Sequence, residues 1–139
     1  MTDFLLDSRL QNDTVTLRDL PLCRVLLSRD ANYPWLILVP RISGIREIIE
    51  LSDNQQQQLQ KESNLVAEFL LSEFSPDKLN IAALGNVVEQ LHIHHIARYR
   101  NDPSWPAPIW NAVPATQYND EKVNVIKDAF ALFCEKRRT

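Results

Sequence analysis

The only three histidines of the chain sit at positions 92, 94 and 95, inside Gln90-Leu91-His92-Ile93-His94-His95-Ile96-Ala97-Arg98. Successive side chains of a strand point to opposite faces, so His92 and His94 project together and His95 projects the other way. Two imidazoles on one face suit nucleophilic or general-base work near neutral pH, or metal ligation. A metal site needs at least a third ligand, and the carboxylates nearest in sequence are Glu89 and Asp102. His95, facing away, reads as a structural or interfacial residue.

The elements around this segment must hold it in place. Leu22 to Ser28 reads as a strand, and Tyr33-Pro34 punctuates before a second apolar run, Trp35 to Val39, with which it should pair as a hairpin. Pro40 closes that run, and Arg46 to Leu51 fits either a short strand or a helical turn. Ser52 and Gln55 have the form of a capping box, after which Leu59, Val66, Phe69, Leu70 and Phe74 mark one side of a helix ending near Phe74. The Gln55 to Gln58 run reads as its solvated face. Ser75-Pro76-Asp77-Lys78 is a turn, and strands follow at Leu79 to Leu84 and Leu91 to Ala97, joined by Gly85 to Gln90. From Asn101 to Trp110 three prolines forbid regular structure while Trp105 and Trp110 offer large apolar surfaces, the pattern of an ordered arm. Asn119 or Asp120 can cap a last helix from Glu121 to about Lys136, whose negative end suits Lys136, Arg137 and Arg138. Strands before and after a long helix indicate an α+β fold on a mostly antiparallel sheet, with no internal repeat or domain boundary across residues 1–139.

Composition narrows the function. Apolar residues make up 45% and charged residues 24% of 139 positions, an ordinary globular balance with no apolar run long enough to span a bilayer. The start, Met1-Thr2-Asp3-Phe4, lacks the features of a secretory signal, so a cytoplasmic protein is expected. Cys23 and Cys134, far apart and without a CxxC spacing, read as reduced, buried thiols. A formal charge of −3 argues against a general nucleic-acid binder, although a small phosphorylated ligand needs only a local patch. Gly44 and Gly85 are the only glycines, too few for a dinucleotide-binding turn or a Walker loop.

Leu-Asn-Ile-Ala-Ala-Leu-Gly-Asn at 79–86, Gln-Leu-His-Ile-His-His-Ile-Ala-Arg at 90–98 and Trp-Pro-Ala-Pro-Ile-Trp at 105–110, preceded by Leu-Ile-Leu-Val-Pro-Arg at 36–41, together resemble the histidine triad (HIT) superfamily. The resemblance is strongest to its bacterial HIT-like, or diadenosine tetraphosphate hydrolase-like, branch, and covers roughly residues 20–110. It implies an α+β fold with about five mostly antiparallel strands, one long helix and a C-terminal helix, in a homodimer whose sheets join. It implies hydrolysis or transfer at the α-phosphate of a nucleotide conjugate, a dinucleoside polyphosphate or a nucleoside phosphoramidate, without a cofactor. His94 would attack phosphorus to give a nucleotidyl-histidine, and His92 would orient the attacking ring. Asn86, Gln90 and Arg98 would contact substrate, Arg98 by neutralising phosphate charge. Trp105 and Trp110 read as packing in the core or at the dimer seam, or as covering a base.

The chain departs from the family pattern in two places. Ile96 stands at the third triad position, and Ser43 stands where a histidine often follows the second strand. The third histidine is associated with protonating the leaving group, help that contributes about 10² to 10⁴ in rate. Three readings follow: a HIT-type nucleotidyl hydrolase or transferase, a catalytically weak nucleotide sensor or interaction module, and a metal-dependent enzyme using His-x-His ligands.

Overall fold

The computed structural model describes residues 4–137. Five strands form one sheet: β1 (Thr14–Asp19), β2 (Cys23–Ser28), β3 (Trp35–Pro40), β4 (Lys78–Ala82) and β5 (Ile93–Arg98). Their spatial order is β1-β2-β3-β5-β4 and every neighbouring pair is antiparallel. Helix α1 (Ser8–Asp13) precedes the sheet, α2 (Asp53–Phe74) links β3 to β4, and α3 (Asp120–Lys136) closes the chain. The expected α+β architecture is therefore the observed one.

Of the two readings open for residues 46–51, the helical turn is the one that forms. Residues 46–51 hold a short 3₁₀ turn, Ile48–Glu50, closed by a reciprocal bond pattern between Glu47 and Glu50. The fifth strand is instead β1. A bulge between Thr16 and Arg18 leaves Leu17 unpaired in the register with β2, so Thr14 and Leu17, three apart, are its buried positions. That spacing hides the two-residue alternation by which a half-buried strand is read.

Helix α2 forms where the capping box foretells: Ser52 accepts from the Gln55 amide and the Gln55 side chain accepts from the Ser52 amide. Its glutamines are more than a wet face, since Gln56 reaches the Leu51 carbonyl at 3.0 Å and Gln58 donates to Glu62 at 2.7 Å. Glu62 is itself buried and accepts from the amides of Leu22 and Cys23, both at 2.8 Å, which pins the start of β2 to α2. Val66, Phe69 and Leu70 pack with Ile126, Phe130 and Cys134 of α3 against Cys23, Val25, Leu27, Leu36, Leu38, Ile93 and Ala97 of the sheet. Both cysteines are free and buried. Arg137 lies over the Phe133 ring and pairs with Glu68 at 3.5 Å, while Arg138 is outside the described residues.

The opposite face of the sheet carries two smaller apolar clusters. Leu10 of α1 packs with Leu26, Ile37 and Val39, and Tyr33, Ile96 and Ile109 pack with Trp35 and Trp110. Between these clusters the face turns polar at β5.

Candidate functional site

Alternation along β5 places its neighbouring histidines on opposite faces. His95, fully buried, points to α2, where its Nε2 lies 2.7 Å from Ser63 Oγ and its Nδ1 lies 3.1 Å from the Ile93 carbonyl. The carbonyl can only accept, so Nδ1 carries the proton and Nε2 accepts from the serine. Burial pushes the imidazole down to about 4, which keeps it neutral. This is the structural role expected for it.

His92 and His94 meet on the other face, with ring centroids 4.8 Å apart and planes at 77°. Both line a cavity of about 440 Å³ whose wall also includes Leu10, Ile37, Leu84, Asn86 and Trp110. That size and the mixture of apolar wall with a few convergent polar groups suit a small organic ligand. A second, more polar cavity of about 500 Å³ lies across residues 83–92 and is lined by Arg46, Glu47, Asn86, Glu89, Gln90 and His92. His92 and Asn86 border both.

Each ring nitrogen of His94 has a partner. Trp35 Nε1 donates to Nδ1 at 3.0 Å, and Nε2 faces the Leu84 carbonyl at 3.2 Å. An indole nitrogen can only donate and a carbonyl can only accept, so this conformation fixes the tautomer with the proton on Nε2. Burial, reinforced by the neighbouring His92, lowers the His94 imidazole to about 4, against a weaker upward pull from the Leu84 carbonyl. His94 is thus neutral at physiological pH. The edge of Trp110 closes the other side of the ring at a centroid distance of 5.1 Å.

His92 is held differently. Its Nδ1 donates to the Gln90 carbonyl at 2.7 Å. A Cβ on Gly85 would meet the Val88 carbonyl at 2.6 Å and His92 Cε1 at 3.2 Å, so the tight 85–88 turn against the imidazole requires glycine.

The remaining expected site residues divide. Asn86 is exposed on the wall of both cavities. Gln90 borders the polar cavity, but its side chain is bound to the start of the chain: Oε1 accepts from the Asp7 amide and Nε2 donates to the Leu5 carbonyl, both at 2.9 Å. Its amide therefore shapes the loop. Arg98 is corrected outright. It shares the sheet face of the two histidines, yet it lies beyond Ile96 with its side chain 1% exposed, bonded to Asp102, Asn80, Ser104 and the Ala107 carbonyl. These bonds anchor the 99–110 arm through Asp102, Ser104 and Ala107 and tie β5 to Asn80 of β4. Trp105 lies over Arg98 in the same arm, whereas Trp110 walls the cavity.

Trp35 is the participant that sequence reasoning missed. Its place at the head of an apolar strand reads as core, and only its pairing opposite Ile96, one step from His94, reveals an aimed N–H. Ile96 itself is sealed among Tyr33, Ile109, Trp35 and Trp110, so the third triad position is dry and apolar. No group of three or more histidine, cysteine or carboxylate side chains able to hold a metal occurs among the described residues.

A family model described as "HIT domain" matches residues 9–101. A histidine triad protein of Marinobacter aquaeolei VT8 is 48% identical, with a TM-score of 0.92 over 96% of this chain and 97% of that one. A second, from Bradyrhizobium japonicum, is 46% identical with a TM-score of 0.91, covering 93% and 96%. A third, from Sinorhizobium meliloti 1021, is 41% identical with a TM-score of 0.91, covering 94% and 96%. No curated protein matches the chain.

Proposed function

The chain belongs to the HIT domain family, and from that premise we propose that it binds a nucleotide conjugate and cleaves it at the α-phosphate through a nucleotidyl-His94 intermediate. The substrate class is a dinucleoside polyphosphate or a nucleoside phosphoramidate. The observation that carries this reading is the pairing of His92 and His94, rings 4.8 Å apart, on the wall of a ligand-sized cavity. A neutral imidazole is a competent nucleophile, and burial keeps His94 neutral. Substrate must take the place of the Leu84 carbonyl to reach Nε2, and Asn86, exposed on the same cavity wall, would contact it. Gln90 supports the same loop from behind.

A second reading, a nucleotide-binding module without turnover, is favoured by one observation: both His94 nitrogens are occupied and Ile96 offers no proton. Incubation of the protein with diadenosine tetraphosphate and adenosine phosphoramidate, with and without chelator and beside His94→Ala, separates the possibilities. Turnover lost in His94→Ala and indifferent to chelator supports the proposal. Binding without turnover supports the module, and chelator sensitivity supports a metal-dependent enzyme.

The protein is further proposed to act as a homodimer in the cytoplasm, its 139 residues forming one HIT-like unit. The outer edge of β4 has no strand beside it among the described residues, and Ile81 on that strand is 52% exposed. No helix of the described residues is long and apolar enough to cross a membrane.

A further inference from the structure

The proton pattern of the site poses a chemical problem. His94 Nε2, the nitrogen turned toward the Leu84 carbonyl at the cavity wall, bears the hydrogen, so its electron pair is held in an N–H bond. Moving that proton to Nδ1 would set two donors face to face, because the Trp35 indole already donates there. Attack by His94 therefore needs a base to strip Nε2, and Ile96 removes the histidine that would otherwise protonate the leaving group.

One free electron pair is available beside it. His92 Nδ1 is committed as a donor to Gln90, which leaves the pair on Nε2. That nitrogen has no protein partner, yet Arg41 Nε is the sole partnerless buried side-chain nitrogen or oxygen among the described residues. His92 Nε2 is therefore open, on a ring that borders both cavities and whose centroid lies 4.8 Å from that of His94.

We propose that His92 is the proton carrier of the reaction, taking the proton of His94 Nε2 as that nitrogen attacks and delivering it to the departing oxygen. This rests on the nucleotidyl-His94 reading above. In the first half the N–H pair of His94 becomes the new N–P bond, the P–O bond breaks with its electrons on the leaving oxygen, and the His92 imidazolium protonates that oxygen. In the second half His92 Nε2 takes a proton from water, the water oxygen bonds phosphorus, and the N–P pair returns to His94 Nε2, which recovers its proton from His92. Both histidines end as they began. Trp35 is a positioning residue, since its N–H makes His94 dependent on an external base.

The test uses two aryl esters of adenosine 5′-monophosphate, 4-nitrophenyl and phenyl, as probes. With wild type, kcat/KM should be measurable for both and vanish in His94→Ala. His92→Gln should lose about 10² to 10⁴ on the phenyl ester, whose leaving oxygen needs a proton, and distinctly less on the 4-nitrophenyl ester. Adding Trp35→Phe to His92→Gln should restore part of the lost rate on the 4-nitrophenyl ester, because His94 can then hold its proton on Nδ1. Equal losses on both esters, or a double variant no faster than His92→Gln, would overturn the inference and leave the His94 reading standing. Absence of wild-type turnover, or turnover surviving in His94→Ala, would overturn both. Wild type alone supplies a readout independent of variant folding: a solvent deuterium isotope effect larger for the phenyl ester is expected, and its absence for both esters counts against proton transfer by His92.

Discussion

Ser63 of α2 donates its hydroxyl to His95 of β5 at 2.7 Å, a bond buried between the long helix and the middle of the sheet. Its consequence is a pH-dependent stability. The His95 imidazole falls from 6.5 to about 4 on folding because burial disfavours its charged form. The unfolded chain then binds the extra proton between those values. Stability is complete above pH 6.5 and declines as pH falls toward 4, by about 3 kcal/mol from this residue. Urea denaturation at pH 7 and pH 4.5 should show the loss. Ser63→Ala, which strands the buried Nε2 without a donor, should cost about 1–3 kcal/mol at pH 7.

Gly85→Ala should impair the site more than the fold. The added methyl cannot fit between the Val88 carbonyl and the His92 ring, so the loop or the imidazole must shift. A fall in kcat/KM of roughly tenfold or more, from the misplacement of a catalytic group, is expected alongside a cost of about 1–3 kcal/mol. Gly44→Ala is the contrast: φ is +76° with open space around it, so the cost is backbone strain alone, about 1 kcal/mol. Parallel kinetics and thermal melts distinguish the two.

Arg98→Leu should be a stability variant. Asp102 is buried with Arg98, and burial alone would raise its carboxyl, but the guanidinium and the amides of Tyr99 and Ser104 hold it at about 2. Removing the cation leaves a buried carboxylate unpaired, a loss of about 3–5 kcal/mol. A lowered Tm with nucleotide affinity preserved at temperatures where the variant is folded is the expected pair of results.

The Trp35 contact can be read directly by nuclear magnetic resonance. Long-range proton–nitrogen correlations should show His94 protonated on Nε2 in the wild type, and a gain of the Nδ1-protonated form in Trp35→Phe, where the indole donor is gone.

Ile81→Lys tests the assembly. A charge on the free edge of β4 opposes pairing with another strand, so sedimentation should shift from dimer to monomer. A wild-type protein that sediments as a monomer would overturn the dimer.

The legible parts of the sequence were those where one local rule held undisturbed. Ser52 and Gln55 announced α2, and strict alternation sent His92 and His94 one way and His95 the other. β1 stayed hidden because its bulge breaks the alternation, and residues 46–51 were ambiguous because their exposed Ile48 and Ile49 imitate a buried run. Arg98 illustrates a different limit. Its face was readable, but its partners Asn80, Asp102 and Ser104 come together only when β4 and the arm close over β5. Trp35 is the same case in reverse: its residue type permits an N–H donor, and only the β3–β5 register aims it at His94.

The bonds from Gln90 to Leu5 and Asp7, and from Arg9 to the Val87 carbonyl, join segments about eighty positions apart. During synthesis residues 5–9 must wait for about eighty further residues to be made before they find this partner. The cavity wall is therefore completed late, and a nascent product cut short before residue 90 cannot brace it. Deleting residues 4–10 should leave the sheet able to assemble while slackening the very segment that carries Leu84 and Gly85 to the histidines.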